Sequence, residues 1–334
     1  MTIRFVNVLF TSVGRRVELL RAFRRAYESL NLAGRIVAVD IDPLAPALRV
    51  ADACAIVPRV NDENYPSTLL EICRRHDVNV VFPLIDADVP VLAGLAPALN
   101  AIGTHVATVP ASHVDAVSDK WLTVQLFKRM GLPTPASWLP DDFDPKEADY
   151  PLFVKPRFGS ASAHTYAART PQELTFFQQY VPHAMIQQFL PGPEITSDVV
   201  CDQTGALLSI VSRRRIEVRW GEVAKGVTCF NPVVTDACGR IAKALDARGP
   251  ITVQGISKNG LVYFTEVNAR FGGGAPLGIA AGADFPQWLL GRAAGIDIEV
   301  PPIGSYATDV YLTRFDESFF LSPAADGTLQ SHHS

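Results

Sequence analysis

The segment Ile251–Arg270 constrains the fold of this chain more than any other stretch. Two β-type runs, Ile251–Ile256 and Leu261–Val267, flank the tetrapeptide Ser257-Lys258-Asn259-Gly260. Asn-Gly between two such runs is a strong signal for a tight turn, so the segment predicts a β-hairpin.

The second strand of this hairpin predicts a cluster of oxygen-bearing side chains. Strand alternation predicts that Phe264, Glu266 and Asn268 share one face, with Gln254 near them on the first strand. One carboxylate and two amides, with no Cys or His, suit a hard cation such as Mg²⁺. A strand end with solvated polar residues is the alternative. The segment Phe271-Gly272-Gly273-Gly274, a glycine cluster directly after Arg270, favours the functional interpretation.

Composition limits the classes of protein to which the chain can belong. Its 334 residues suggest two or three domains, and 48% hydrophobic with 19% charged residues indicates a globular protein. A formal net charge of −4 offers no general attraction to nucleic acid, and no apolar run is long enough for a membrane span. The five scattered cysteines have no CxxC spacing, and the first apolar stretch is too short for a signal peptide. We therefore expect a cytoplasmic protein without nucleic-acid or membrane partners.

The first third of the chain predicts a parallel sheet. The pattern alternates β-type runs at 5–11, 35–40, 53–57 and 78–84 with helical periodicity at 15–30, 65–76 and 89–99. Ligands bind such sheets at the carboxyl ends of the strands, which carry Ser12, Arg15 and Asp86. The loop after the first strand has one glycine and does not match the dinucleotide fingerprint. It could hold an anion such as a substrate carboxylate, or be a capping turn with surface arginines.

The pattern changes to α+β after a boundary near Pro110. Ser118-Asp119 caps a predicted helix at 120–130, and Pro140–Tyr150 has the composition of an exposed connector. Predicted strands follow at 152–155, 163–168, 185–189, 195–201 and 207–214, before the hairpin.

Four elements of this second part suit phosphate and nucleotide chemistry. Lys120 follows a helix cap, and Lys155 ends an apolar strand, where an unpaired ammonium would be costly. The small-residue turn at 157–162 offers amides and hydroxyls to phosphates. The extended segment 186–190 could pair with an adenine edge, and Glu194 could accept from ribose hydroxyls. Each feature has an ordinary structural explanation by itself, and their order along the chain favours a joint role.

The ordered motifs resemble those of the ATP-grasp superfamily, most closely its carbamoyl-phosphate-synthase-like branch of stand-alone carboxylate–amine ligases. The resemblance rests on SDKWLTVQLFKRMGLPTP, PLFVKPRFGSAS, QQFLPGPEITSDV and the pair VQGI and YFTEVNARFGGG. It implies an α/β plus α+β fold, in which a Rossmann-like parallel sheet precedes a two-lobed ATP-grasp fold. The implied domains are 1–110, the small lobe 111–190, and the large lobe 191–334 with the metal site.

The resemblance also implies roles for individual residues. Lys120 and Lys155 match the two lysines that hold the phosphates of ATP, and Arg270 matches the arginine at the reacting centre. It implies a phosphate loop formed by Gly159, Ser160 and Ser162, and an adenine hinge at Gln187, Gln188 and Leu190. It also implies that Glu194 is the ribose carboxylate and that two Mg²⁺ ions are bound by Gln254, Glu266 and Asn268. The hinge often has Glu where this chain has Gln187 or Gln188. The phosphate loop has one glycine where relatives often have several.

The implied reaction joins a carboxylate, from an amino acid or small acid, to an amine through an acyl phosphate, releasing ADP and phosphate. The charge-dense segment 213–226 falls where the family has a substrate-proximal loop, so Lys225 is a second catalytic candidate beside Arg270. A solvated face is the other interpretation of that segment. Mn²⁺ in place of Mg²⁺, a homodimer, an inactive nucleotide-binding module and a bicarbonate-using activity stay open as alternatives.

Overall fold

The structure is a computed structural model that describes residues 4–145, 148–160, 163–219, 221–324 and 329–331. Within these residues the strands form a five-stranded, a four-stranded and a six-stranded sheet and a separate two-stranded pair. The predicted fold class, a parallel sheet followed by α+β lobes, is confirmed. No helix in these ranges combines the length and the apolar character that a membrane span requires.

The five-stranded sheet is parallel and follows the predicted alternation. Its spatial order is β3-β2-β1-β4-β5. The strands are β1 (Val8–Thr11), β2 (Ile36–Asp40), β3 (Ala53–Ile56), β4 (Val80–Pro83) and β5 (His105–Val106), with helices α1 (Val17–Ser29), α2 (Tyr65–Arg75) and α3 (Asp88–Asn100) between them. The buried face of α1 is an apolar stripe that includes Leu19, Phe23 and Tyr27.

The four-stranded sheet, in the order β6-β9-β7-β8, carries one group of predicted phosphate and adenine residues. Helices α4 (Val114–Ser118) and α5 (Lys120–Arg129) precede this sheet in the chain. Its strands are β6 (Ser137–Trp138), β7 (Leu152–Pro156), β8 (Tyr166–Ala168) and β9 (Ala184–Gln188), with α6 (Pro171–Tyr180) between the last two. The β7–β9 register places Lys155 opposite Met185, so the strand ending in Lys155 adjoins the strand that leads into the hinge.

The six-stranded sheet contains the hairpin and is ordered β14-β13-β10-β11-β12-β15. Its strands are β10 (Glu194–Cys201), β11 (Leu207–Arg219), β12 (Glu222–Cys229), β13 (Pro250–Lys258), β14 (Leu261–Asn268) and β15 (Tyr311–Thr313), and α7 (Pro232–Ala244) packs on it. The two-stranded pair is β16 (Leu321–Pro323) with β17 (Leu329–Ser331). Asn259 and Gly260 have φ values of 51° and 80°, which confirms the predicted Asn-Gly turn.

The prediction that Phe264 shares a face with Glu266 is wrong. Gln254 pairs with Glu266 but Gly255 pairs with Phe264, so Thr265 is the extra residue of a β-bulge. The bulge turns Phe264, which is 3% exposed, into the core against Phe127. Its backbone N–H leaves the ladder and donates to the Pro133 carbonyl at 2.9 Å, which supplies the local reason for the bulge.

The end of the hairpin is anchored in the core of the five-stranded sheet. Phe271 packs against Phe23 and Phe82, with ring centroids 6.1 and 5.6 Å away. Helices α8 (Ala275–Ala280) and α9 (Phe285–Ala293) follow, and Phe285 and Trp288 bury in the same core. The segment after β14 is thereby fixed against the carboxyl ends of β1 and β4. The domain boundaries at 110 and 190 stay predictions.

Candidate active site

Two adjoining cavities contain most of the residues singled out in the sequence. The lysine cavity, about 270 Å³, is lined by Lys120, Lys155, the segment 187–190, Glu194, Gln254 and Glu266 among others. The arginine cavity, about 70 Å³, is lined by four arginines (Arg16, Arg213, Arg215, Arg270), Glu222, Thr196 and Gly272–Gly274 among others. Gln254 and Arg215 line both, so the cavities meet beside the hairpin.

The two lysines of the lysine cavity lie on either side of Glu266. Lys120 Nζ donates to the Gly159 carbonyl and lies 3.9 Å from Glu266 Oε1. Asp119 caps α5 through a 2.9 Å bond from Trp121 N and pairs with Arg157, which fixes Lys120 at the first turn. Burial lowers the pKa of Lys155 to about 8; Glu266 opposes this shift and Lys120 adds to it. The cavity therefore presents two cations whose charge a phosphate would offset.

The phosphate loop and hinge candidates also border the lysine cavity. Gly159 and Ser160 line it, and Gly159 has a φ of 103°, in the region that favours glycine. Ser162 lies outside the described residues. Gln187 and Gln188 line it together with Leu190, but the Gln187 side chain is 3% exposed and donates to Ser137 Oγ at 2.9 Å.

Glu194 lies at the junction of the two cavities. It begins β10 opposite Ile256 and lines the lysine cavity. Its Oε1 accepts from Arg215 Nη1, so the carboxylate is oriented by a neighbouring strand. A carboxylate held in this way can still accept from a ligand hydroxyl through its second oxygen.

The predicted metal ligands converge at the end of the hairpin. Gln254 and Glu266 are cross-strand partners, and Asn268 follows on the same face. With its amide nitrogen facing the carboxylates, Asn268 donates to Asp86 Oδ1 at 3.0 Å and to Glu266 Oε1 at 3.1 Å. Turned the other way, the amide would bring three oxygens together, which a cation between them would stabilise. These residues therefore fit a hard cation.

That cation would depend on more than carboxylates. Among the described residues, no three His, Cys, Asp or Glu side chains are grouped so as to hold a metal. Amide oxygens of Gln254 and Asn268, and oxygens from a bound phosphate, would have to complete the shell, as is common for Mg²⁺.

Arg270 is placed between the metal candidates and the N-terminal sheet. Its Nη2 donates to Asp86 Oδ2 at 2.8 Å and its Nη1 to the Phe271 carbonyl at 3.1 Å. The Nε atom is buried without a described partner. The side chain is 14% exposed and faces the arginine cavity, where it could receive a carboxylate.

Among the described residues, five predicted site residues line neither cavity: Asp86 and Asn268, which contact Arg270 and Glu266 as described above, and Ser12, Arg15 and Lys225. Ser12 donates a 3.1 Å hydrogen bond to Asp88 Oδ1. Asp88 is a buried carboxylate, and burial raises its pKa to about 6. Arg15 is exposed and lines a separate cavity beside α1, because α1 begins at Val17 and turns Arg16 inward instead. Lys225 is exposed and pairs with Glu217 at 2.7 Å. A bulge at Ile216 puts this pair on the face opposite Arg215.

Sequence reasoning missed Arg16, Arg213 and Arg215 as site residues. Arg16 Nη2 lies 3.3 Å from Glu222 Oε1, and Arg213 is buried beside Asp198. The available signals were the second arginine after the first strand and the arginine run at 213–215. Neither signal showed which arginine of each run faces inward.

Two family patterns match the chain. Residues 8–107 match the family described as "PylC-like, N-terminal domain", and residues 117–274 match the "ATP-grasp domain". The first range contains the parallel sheet, and the second contains both lysines, the hinge candidates and the predicted metal ligands.

Relatives and solved structures agree with these matches. The chain is 26% identical over 197 residues to the carbamoyl phosphate synthase large chain of Lachnoclostridium phytofermentans, an alignment covering 53% of this chain and 18% of that protein. The biotin carboxylase domain of Hydrogenobacter thermophilus 2-oxoglutarate carboxylase, solved with MgADP and bicarbonate, superposes with a TM-score of 0.71 at 16% identity, covering 91% of this chain and 73% of that one. An L-amino acid ligase from Bacillus licheniformis gives 0.66 at 22% identity, covering 88% and 75%. The two structures establish a shared fold.

Proposed function

Because residues 117–274 match the ATP-grasp domain, we propose that the chain is an ATP-dependent ligase that joins a carboxylate to an amine through an acyl phosphate. One observation carries the proposal: Lys120, Lys155 and Glu266 line the lysine cavity, and Arg270 lines the adjoining arginine cavity. The nucleotide would occupy the first cavity and the acid the second. Their junction at Gln254 would then bring the γ-phosphate to the carboxylate.

The first step would be phosphoryl transfer. A carboxylate oxygen of the acid attacks the γ-phosphorus, the new O–P bond forms, and the bond to the β-phosphate oxygen breaks to release ADP. This chemistry needs positioning and charge neutralisation more than covalent help from the protein. Lys120 and Lys155 would hold the phosphate oxygens, and Arg270 would hold the acid in a bidentate pair.

The second step would form the carbon–nitrogen bond. The amine lone pair attacks the acyl carbon, and the tetrahedral oxyanion then collapses with loss of phosphate, the amine proton leaving to solvent. Arg270 is placed to stabilise that oxyanion. Two Mg²⁺ ions, or Mn²⁺, held by Gln254, Glu266 and Asn268 would neutralise phosphate charge when bound.

Product analysis tests the proposal. The purified chain is incubated with ATP, Mg²⁺ and pairs of acids and amines, and nucleotides are separated by chromatography. We expect ADP and phosphate to form in a manner that requires both the acid and the amine. AMP and pyrophosphate as the main products would refute the acyl-phosphate route. ADP formation with bicarbonate alone would redirect the assignment to a carboxylating activity.

We also propose that the chain is cytoplasmic. All five cysteines are free thiols in the structure, which supports a reducing, cytoplasmic environment. The homodimer stays a prediction, and light scattering of the purified chain would test it.

A further inference from the structure

The arginine cavity carries more positive charge than one substrate carboxylate requires. Four guanidinium groups and, among the described residues, one carboxylate (Glu222) line it. Asp198, Glu194 and Asp86 pair with Arg213, Arg215 and Arg270, and these three carboxylates do not line the cavity. Glu222 is itself shared between Arg16 at 3.3 Å and Arg314 at 3.0 Å. The wall that a ligand would meet therefore carries more cationic than anionic side chains.

Unsatisfied polar atoms are concentrated around this cavity. Among the described residues, eight buried side-chain nitrogen or oxygen atoms have no hydrogen-bond partner. Four of them belong to residues that line the arginine cavity: the Nε atoms of Arg213, Arg215 and Arg270, and Thr196 Oγ1. Thr196 and Arg213 are only 2% and 3% exposed. Buried polar groups left unpaired are costly, so their grouping marks the surroundings of this cavity as polar and incompletely satisfied, and Asp198 Oδ1, an acceptor beside Gly272, is also without a partner.

The glycine cluster makes room for these guanidinium groups. A Cβ atom at Gly274 would lie 2.3 Å from Arg213 Nε, and one at Gly273 would lie 2.8 Å from Arg16 Nη1. A Cβ at Gly272 would come within 2.8 Å of Asp198 Oδ1 and 2.9 Å of Arg213 Nη2. The backbone between Arg270 and α8 therefore lies against two arginines from other parts of the chain, and a larger residue at these positions would displace their side chains.

Electrostatics agrees with an anionic occupant. Burial lowers the pKa of Arg16 to about 10; Glu222 opposes this shift, while Arg270 and Arg314 add to it. Burial and then the charges of Arg215, Arg314 and Arg16 lower the pKa of Arg213 as well. These groups repel one another in a desolvated site, and a bound anion would relieve that repulsion.

Resting on the ligase function proposed above, we infer that the acid substrate carries at least two anionic groups. The reacting carboxylate lies at Arg270, and a second anionic group, a carboxylate or a phosphate, is held by Arg16 and Arg213, which line the same cavity. A monoanion at Arg270 would bring one negative charge to a cavity that four guanidinium groups line. The cavity volume of about 70 Å³ limits the second group to a compact one.

Matched pairs of acids test this inference. Binding is measured by calorimetry to the whole chain saturated with Mg²⁺ and a non-hydrolysable ATP analogue, and ADP release is measured with ATP and an amine panel. The pairs are glutamate with glutamine, aspartate with asparagine, and O-phosphoserine with serine. We expect the more anionic member of at least one pair to bind about a hundredfold more tightly, since two charge-assisted hydrogen bonds are gained. The pair that responds distinguishes a carboxylate from a phosphate.

Arg16→Gln tests the contact itself, because Glu222 keeps Arg314 as a partner in that variant. We expect this substitution to reduce the binding preference for the more anionic acid of a pair to about tenfold or less, while affinity for the ATP analogue is unchanged. Arg21→Gln, on the exposed side of the same helix, is the matched control and should preserve the preference. Equal binding of both members in every pair, or a preference unaltered by Arg16→Gln, would overturn the inference.

Binding and turnover separate this inference from the proposed function. Selective binding of the dianion that Arg16→Gln abolishes, without ADP release, would retain the inference and count against the ligase. ADP release driven equally by the neutral members would retain the ligase and overturn the inference.

Discussion

Lys155→Met is expected to stabilise the ligand-free protein while removing a phosphate contact. Lys155 is 5% exposed, and burial is the largest cause of the lowered pKa. A fall from 10.5 to about 8 corresponds to about 3 kcal/mol of folding free energy lost to the buried ammonium. Methionine has a similar length and no charge, so at pH 7 the free energy of unfolding should rise by up to about 3 kcal/mol.

The pH dependence of this difference follows from the direction of the pKa shift. The folded state binds the Lys155 proton less tightly than the unfolded state, so the penalty is complete below pH 8. It disappears as the pH rises from about 8 towards the unfolded value. The stability difference between variant and parent should therefore fall to roughly half by pH 9.5.

Urea denaturation without nucleotide, at pH 7 and pH 9.5, measures the effect, and Lys243→Met on the exposed face of α7 is the control. Titration with the ATP analogue should show markedly weaker binding to Lys155→Met. A variant less stable than the parent at pH 7 would show that Lys155 makes a net favourable structural interaction, which would refute the reasoning.

Three further variants test the hairpin and its neighbours. Glu266→Gln should lower turnover by about a thousandfold or more, because the cation site loses its negative charge. Steady-state ADP release measures this, and turnover within a few-fold of the parent would remove Glu266 from the site. Phe264→Ala should lower the free energy of unfolding by about 3–5 kcal/mol in denaturation experiments, because the bulge turns Phe264 into the core. The folded variant should keep its ATP affinity. A stable variant with weakened ATP binding would contradict the bulge. Arg270→Lys should lower kcat far more than ATP affinity, because lysine lacks the planar, two-pronged guanidinium group of arginine. A lower melting temperature with normal turnover per folded molecule would indicate that Arg270 forms a purely structural pair with Asp86.

The sequence determined those parts of the site that depend on local geometry. The Asn259-Gly260 turn follows from the conformational preferences of those two residues. Glu266 and Asn268 share a face because they are two residues apart on one strand, and the turn sets the register that brings Gln254 beside them. The alternation of strands and helices before residue 107 likewise dictated a parallel sheet.

Tertiary structure decided which charged residues meet. Strict alternation would place Phe264 beside Glu266, but the contact with Pro133, 131 positions away, draws its N–H out of the ladder. Arg16 directly precedes α1 and Arg213 lies in β11, and they line one cavity beside the segment that Phe271 anchors against Phe23 and Phe82. Such encounters depend on packing between distant segments. Local periodicity specifies the face on which a residue lies, whereas the partner packed against that face is set by the whole fold.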